Sequence, residues 1–123
     1  MNNSVYNRRN TVRRERQQQK LDSGSLKARF PEVASVVINM TYSQQGLQKP
    51  LPRIVNFFPD SQAFFRIDCL HRECVAGGFD LTRVITEMIR DRRKTAKGDL
   101  SCEGDYPSAG HSVIVYEVAI QYI

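Results

Sequence analysis

The chain has no apolar run approaching the roughly 18 residues of a membrane helix, which excludes a helical span. It has only three cysteines, and an odd thiol left over excludes a closed disulfide framework, so reduced or metal-bound thiols fit better. The opening M-N-N-S-V-Y-N-R-R-N lacks the apolar centre of a secretory leader, and the expected location is cytoplasmic. No nucleotide-binding glycine pattern occurs: G-G-F-D-L at 77–81 is neither G-x-G-x-x-G nor a phosphate-loop sequence. A tight strand-to-helix turn accounts for Gly77 and Gly78. No internal repeat is visible.

What the chain has is enough apolar material, 41% of 123 residues, for one core. It also has a lopsided charge. Residues 1–20 hold six bases (Arg8, Arg9, Arg13, Arg14, Arg16 and Lys20) against the single acid Glu15. The other residues balance, so the net charge of +5 belongs to the first segment. That segment is polar, with only Val12 and Leu21 as later anchors, and predicts a flexible or helical basic arm over 1–24, followed by one domain over 25–123. D-S-G-S at 22–25 is the break, and Ser25 suits a short turn before Pro31.

Apolar positions then alternate. Ala34, Val36, Ile38, Met40 and Tyr42 form one face of a strand, and Ile114, Tyr116, Val118, Ile120 and Tyr122 form the face of another. S-Q-Q-G-L-Q-K-P-L-P reads as a loop, Arg53–Phe58 as a short strand, and Ala63–Cys69 as a further one. Between them, Leu81, Val84, Ile85, Met88 and Ile89 make a helical stripe. Asp80 is the expected N-cap, Arg90, Arg92, Arg93 and Lys94 the basic last turn, and Gly98 the exit. A short strand over 99–103 completes the set. The pattern predicts an α+β fold: an antiparallel β-sheet of about four to five strands with one main helix packed on one face.

Two stretches suggest chemistry. Cys69 and Cys74 lie in C-L-H-R-E-C, and Cys102 and His111 follow in the second half. Three thiolates and an imidazole would complete a tetrahedral zinc shell, the ion that such soft ligands favour, so Zn is the expected cofactor. His71 is a weaker fourth ligand because C-x-H spacing is cramped. The competing account makes Cys69, on the same side as Phe65 and Ile67, a small core residue. A cysteine-dependent enzyme using His71 or His111 as base, oriented by Asp68 or Glu73, is a further alternative, although no nucleophile turn marks it.

The second stretch is the arm. Arg8, Arg9, Arg13, Arg14, Arg16 and Lys20 suit nucleic-acid phosphates, and Arg92, Arg93 and Lys94 extend the set. Tyr6, Phe57, Phe58 and Phe64 are candidate stacking surfaces, with core packing the competing role for the phenylalanines. The functional expectation is a non-enzymatic binding or adaptor module, zinc-stabilised, with RNA or DNA as partner. The alternative is a homo-oligomer assembled through the second sheet face or the arm.

Overall fold

The alternating segments become paired strands in the computed structural model, which describes residues 3–43, 49–69, 77–102 and 112–123, with the backbone alone for 3–9. Along the chain run α1 (Asn3–Asp22), α2 (Leu26–Arg29), β1 (Val33–Ser43), β2 (Leu51–Phe57), β3 (Arg66–Ile67), β4 (Phe79–Asp80), α3 (Thr82–Arg90), β5 (Thr95–Ser101) and β6 (Val113–Tyr122). Four strands form an antiparallel sheet in the order β2-β1-β6-β5, and β3 and β4 pair separately. The expected α+β architecture therefore holds, with several helices in place of one main helix.

The central β1–β6 pair sets the inner face. Ile38 opposes Val118 and Met40 opposes Tyr116, and directly opposed residues point to the same side. Val36, Ile38, Met40, Tyr42, Ile114, Tyr116, Val118 and Ile120 are all buried on that side. Ala34 is the exception to the expected alternation. The register shifts between Val33 and Ser35, so Val33 takes the buried position and Ala34 is left half-buried.

The edge strand β2 begins earlier than expected, at Leu51, and contains Pro52. An edge tolerates proline because one side of the strand has no ladder to supply with an N–H. The strand expected over 63–69 contracts to β3, yet Phe65 and Ile67 remain buried as the alternation predicted.

Over the inner face lie α3, α2 and the β3–β4 pair. The stripe on α3 buries Ile85, Met88 and Ile89, with Leu81 just ahead of it also buried. Leu26, the first residue of α2, is fully buried, and Ser25 caps that turn by accepting the Ala28 N–H at 3.2 Å. Phe65 meets Phe57 edge-on at 5.1 Å, and Phe79 meets Tyr42 at 6.0 Å.

Helix α3 is shorter than the sequence suggests. Leu81, not Asp80, occupies the N-cap position, although the Asp80 carboxylate still accepts the Thr82 N–H at 2.9 Å. The helix stops at Arg90, and Arg92 takes a left-handed turn with φ of 53°. The Tyr122 hydroxyl holds this exit, sharing its hydrogen between the carbonyls of Arg93 at 2.7 Å and Met88 at 3.1 Å. Arg92 stacks over the same ring at 4.7 Å. Gly98, the expected exit, lies instead in β5 opposite Tyr116, whose ring covers it.

The outer face of the sheet carries Val37, Asn39 and Thr41 from β1, Ile54 from β2 and Val115 and Glu117 from β6. Ile54 and Val115 are 62% and 60% exposed, and Lys97 meets Glu117 at 3.6 Å. No described element covers this side.

Two outcomes follow from the packing. Gly78 has φ of 120°, and a Cβ there would stand 2.5 Å from the Ile67 carbonyl oxygen. Gly78→Ala should lower unfolding free energy by more than about 2 kcal/mol in urea titration, combining backbone strain with a backbone clash. An unchanged midpoint would contradict this packing.

Burial, reinforced by Asp99, raises the pKa of Tyr116 above the usual tyrosine value. Burial likewise raises Tyr122, opposed by Arg92. Both phenols hold their protons more tightly folded than unfolded. The stability they contribute is therefore complete below the unfolded value near pH ~10 and is lost as pH rises through the folded values. Urea midpoints should fall as the pH rises above about 10 and fall less in a Tyr116→Phe/Tyr122→Phe variant. Equal slopes in the two proteins would contradict the assignment.

Candidate functional site: a basic cleft at the sheet edge

Helix α1 has few apolar residues among its 20 (Val5, Tyr6, Val12 and Leu21) and no continuous apolar stripe. A polar contact joins it to the rest of the chain. The Arg16 guanidinium donates through Nη1 to the carbonyl of buried Gly77 at 3.0 Å. Arg13, Arg16 and Lys20 recur at i, i+3 and i+7, which places them along one side of the helix.

Where α1 passes the β2 edge, a cleft of about 550 Å³ opens, with Arg16, Gln17 and Lys20 on one wall. Arg53, Val55, Asn56 and Phe57 of β2 form a second wall, and Ser61, Gln62, Phe64, Arg66, Ile67 and Asp68 close it. Four of its lining residues are bases and one is an acid. These bases come from three separate elements, α1, β2 and β3.

Besides Arg16, local bonds fix two more of the four. Arg53 donates through Nη1 to the Tyr42 hydroxyl at 3.1 Å, and that hydroxyl donates onward to the Asp68 carbonyl at 3.4 Å. Tyr42 is fully buried, so its hydroxyl anchors the exposed arginine from below. Arg66 meets Asp80 at 3.6 Å, and the same carboxylate holds the start of α3. Ordered guanidinium groups lose less freedom when they bind an anion. The four bases give the cleft a positive field, concentrated by its concave shape.

The structure divides the basic residues expected to bind nucleic acid. Arg16 and Lys20 line the cleft, whereas Arg13 and Arg14 are exposed elsewhere on α1. Arg8 and Arg9 belong to the first half of the same helix. Arg92, Arg93 and Lys94 lie beyond the end of α3 and lead into β5, at the opposite edge of the sheet from β2. They therefore do not extend the cleft. Arg53 and Arg66 are the cleft-lining bases that the sequence did not single out, because each sits within an ordinary strand pattern.

The zinc expectation is overturned. Among the described residues, no group of three or more His, Cys, Asp or Glu side chains is placed to hold a metal ion. The two described thiols have other engagements: Cys69 donates to the Ser112 hydroxyl at 3.8 Å, and the Gly78 N–H donates to Cys102 Sγ at 3.2 Å. Neither is in a disulfide. Cys74 and His111, the remaining expected ligands, lie outside the described residues, as do His71 and Glu73 of the catalytic alternative.

No family model, curated protein or solved structure matches the chain. Among the described residues, no helix is long and apolar enough to cross a membrane.

The Tyr42 bridge gives a direct check. Tyr42→Phe should keep the fold but cost about 1 kcal/mol in urea titration, since a buried hydroxyl with two partners is lost. A stability equal to that of the parent would mean the hydroxyl does not hold Arg53.

Proposed function

We propose that the protein is a cytoplasmic, non-enzymatic binding module whose ligand is a nucleic acid, engaged through its phosphates in the basic cleft. The observation that carries this reading is the convergence of Arg16, Lys20, Arg53 and Arg66 on one concavity whose lining contains the single acid Asp68. Residues 1–24 act as the arm of a domain formed by 25–123. The arm contributes one wall of the cleft, through Arg16, Gln17 and Lys20. Phosphates are the fitting partner because a polyanion satisfies several fixed guanidinium groups together and releases its counterions.

A second reading has its own observation. Ile54, Val113 and Val115 are exposed on the outer sheet face, beside half-buried Val37 and Ala119. This apolar surface supports homo-oligomer formation by sheet-to-sheet packing. The two readings are separable because the cleft borders the inner face of β2 and the apolar patch lies on the outer face.

Arg53→Ala should weaken binding of a labelled oligonucleotide about tenfold at low salt. It should also reduce the slope of log affinity against log salt by about one, as expected for a lost phosphate contact. Arg93→Ala, at the far edge, should leave both quantities nearly unchanged. Equal effects of the two substitutions would overturn the cleft as the binding site. Sedimentation of Val115→Lys alongside the parent separates the second reading, which requires the parent to be oligomeric and the variant to dissociate.

A further inference from the structure

The cleft's shape and lining narrow the ligand, on the reading that it binds nucleic acid at all. A duplex presents its phosphates on a convex surface and is read by a protruding helix or ribbon that enters a groove. Helix α1 is the element of suitable length, but its Arg16 is turned onto the chain itself at the Gly77 carbonyl. Arg16 and Lys20 therefore line a concavity and do not form a ridge that projects into a groove. A volume of about 550 Å³ is that of a small-molecule pocket, enough for a nucleotide-sized unit.

The lining also offers something beyond charge. Phe64 is half-buried in the wall beside Arg66, with one of its neighbours in the core, Phe65, fully packed. An aromatic ring that is kept partly open next to fixed guanidinium groups is a stacking platform for an unpaired base. Asn56 and Gln62 also line the cleft and supply amides, each both donor and acceptor. Base edges are fully accessible to such amides only when the base is out of a duplex.

We propose that the cleft takes a short stretch of single-stranded nucleic acid, with backbone phosphates on Arg16, Lys20, Arg53 and Arg66 and one base stacked on Phe64. Charge holds the strand and the ring distinguishes it from a polyanion without bases. Because every base has a π face, this arrangement selects single strands without selecting sequence strongly.

Fluorescence anisotropy of the full chain with three labelled probes tests the inference: a single-stranded oligonucleotide, a hairpin duplex of equal charge, and an abasic strand of equal length. The single strand should bind at least about tenfold more tightly than the other two, a difference in the range of one base–aromatic stack. Phe64→Leu, which keeps an apolar side chain, should weaken single-strand binding about fivefold or more without changing its salt slope. Circular dichroism of this variant should show the parent fold, and an Arg53→Ala control should change the slope. Equal affinity for the duplex or the abasic strand, or no loss with Phe64→Leu, overturns the inference while leaving phosphate binding in the cleft intact. Failure to bind any of the three overturns both.

Discussion

The register between β1 and β6 is the constraint on which the rest of the molecule depends. It runs from Val33 opposite Tyr122 to Ser43 opposite Val113, and a slip of one residue would turn every buried side chain outward. With that register, Ile38, Met40, Tyr42, Ile114, Tyr116 and Val118 form one apolar sheet face that must be covered. The segment between β2 and β5 supplies the cover, through Phe65, Ile67, Phe79, Leu81 and the stripe of α3. The same alignment points Arg53 and Tyr42 to the inner side near the β2 edge. Structure and charge placement therefore share one cause.

The cleft arises where this cover meets an edge. Phe57 and Phe65 close the core by an edge-on contact, and beyond them the lining changes to Arg53, Gln62, Phe64 and Arg66. Helix α1 then adds Arg16 and Lys20 without burying an apolar face of its own. The Arg16 bond to the Gly77 carbonyl ties this helix to the segment that leads into β4.

Much of the fold was legible because its elements have clear periods. The two-residue alternation of β1 and β6 and the 81–89 stripe each mark a buried face, and each is found there. The boundaries were less legible. Pro52 suggested a loop because proline removes a ladder donor, but the edge position of β2 makes that loss harmless. The ending of α3 at Arg90 depends on the Tyr122 hydroxyl, which comes from a strand 29 residues beyond Arg93. No local pattern announces such a contact.

The site was less legible still. The concentration of charge in residues 1–20 includes Arg16 and Lys20, which line the cleft, but charge counting could not divide them from Arg92, Arg93 and Lys94. That division depends on strand order, which puts β2 and β5 on opposite edges. Cysteine spacing suggested zinc, whereas the described thiols meet a serine hydroxyl and a backbone amide. The most direct test of the whole account is residue-resolved NMR of the chain during titration with a single-stranded oligonucleotide. The account predicts that the largest shift changes fall on Arg16, Lys20, Arg53, Phe64 and Arg66. Changes confined to Arg92–Lys94 or to the outer sheet face, with the cleft unperturbed, would contradict it.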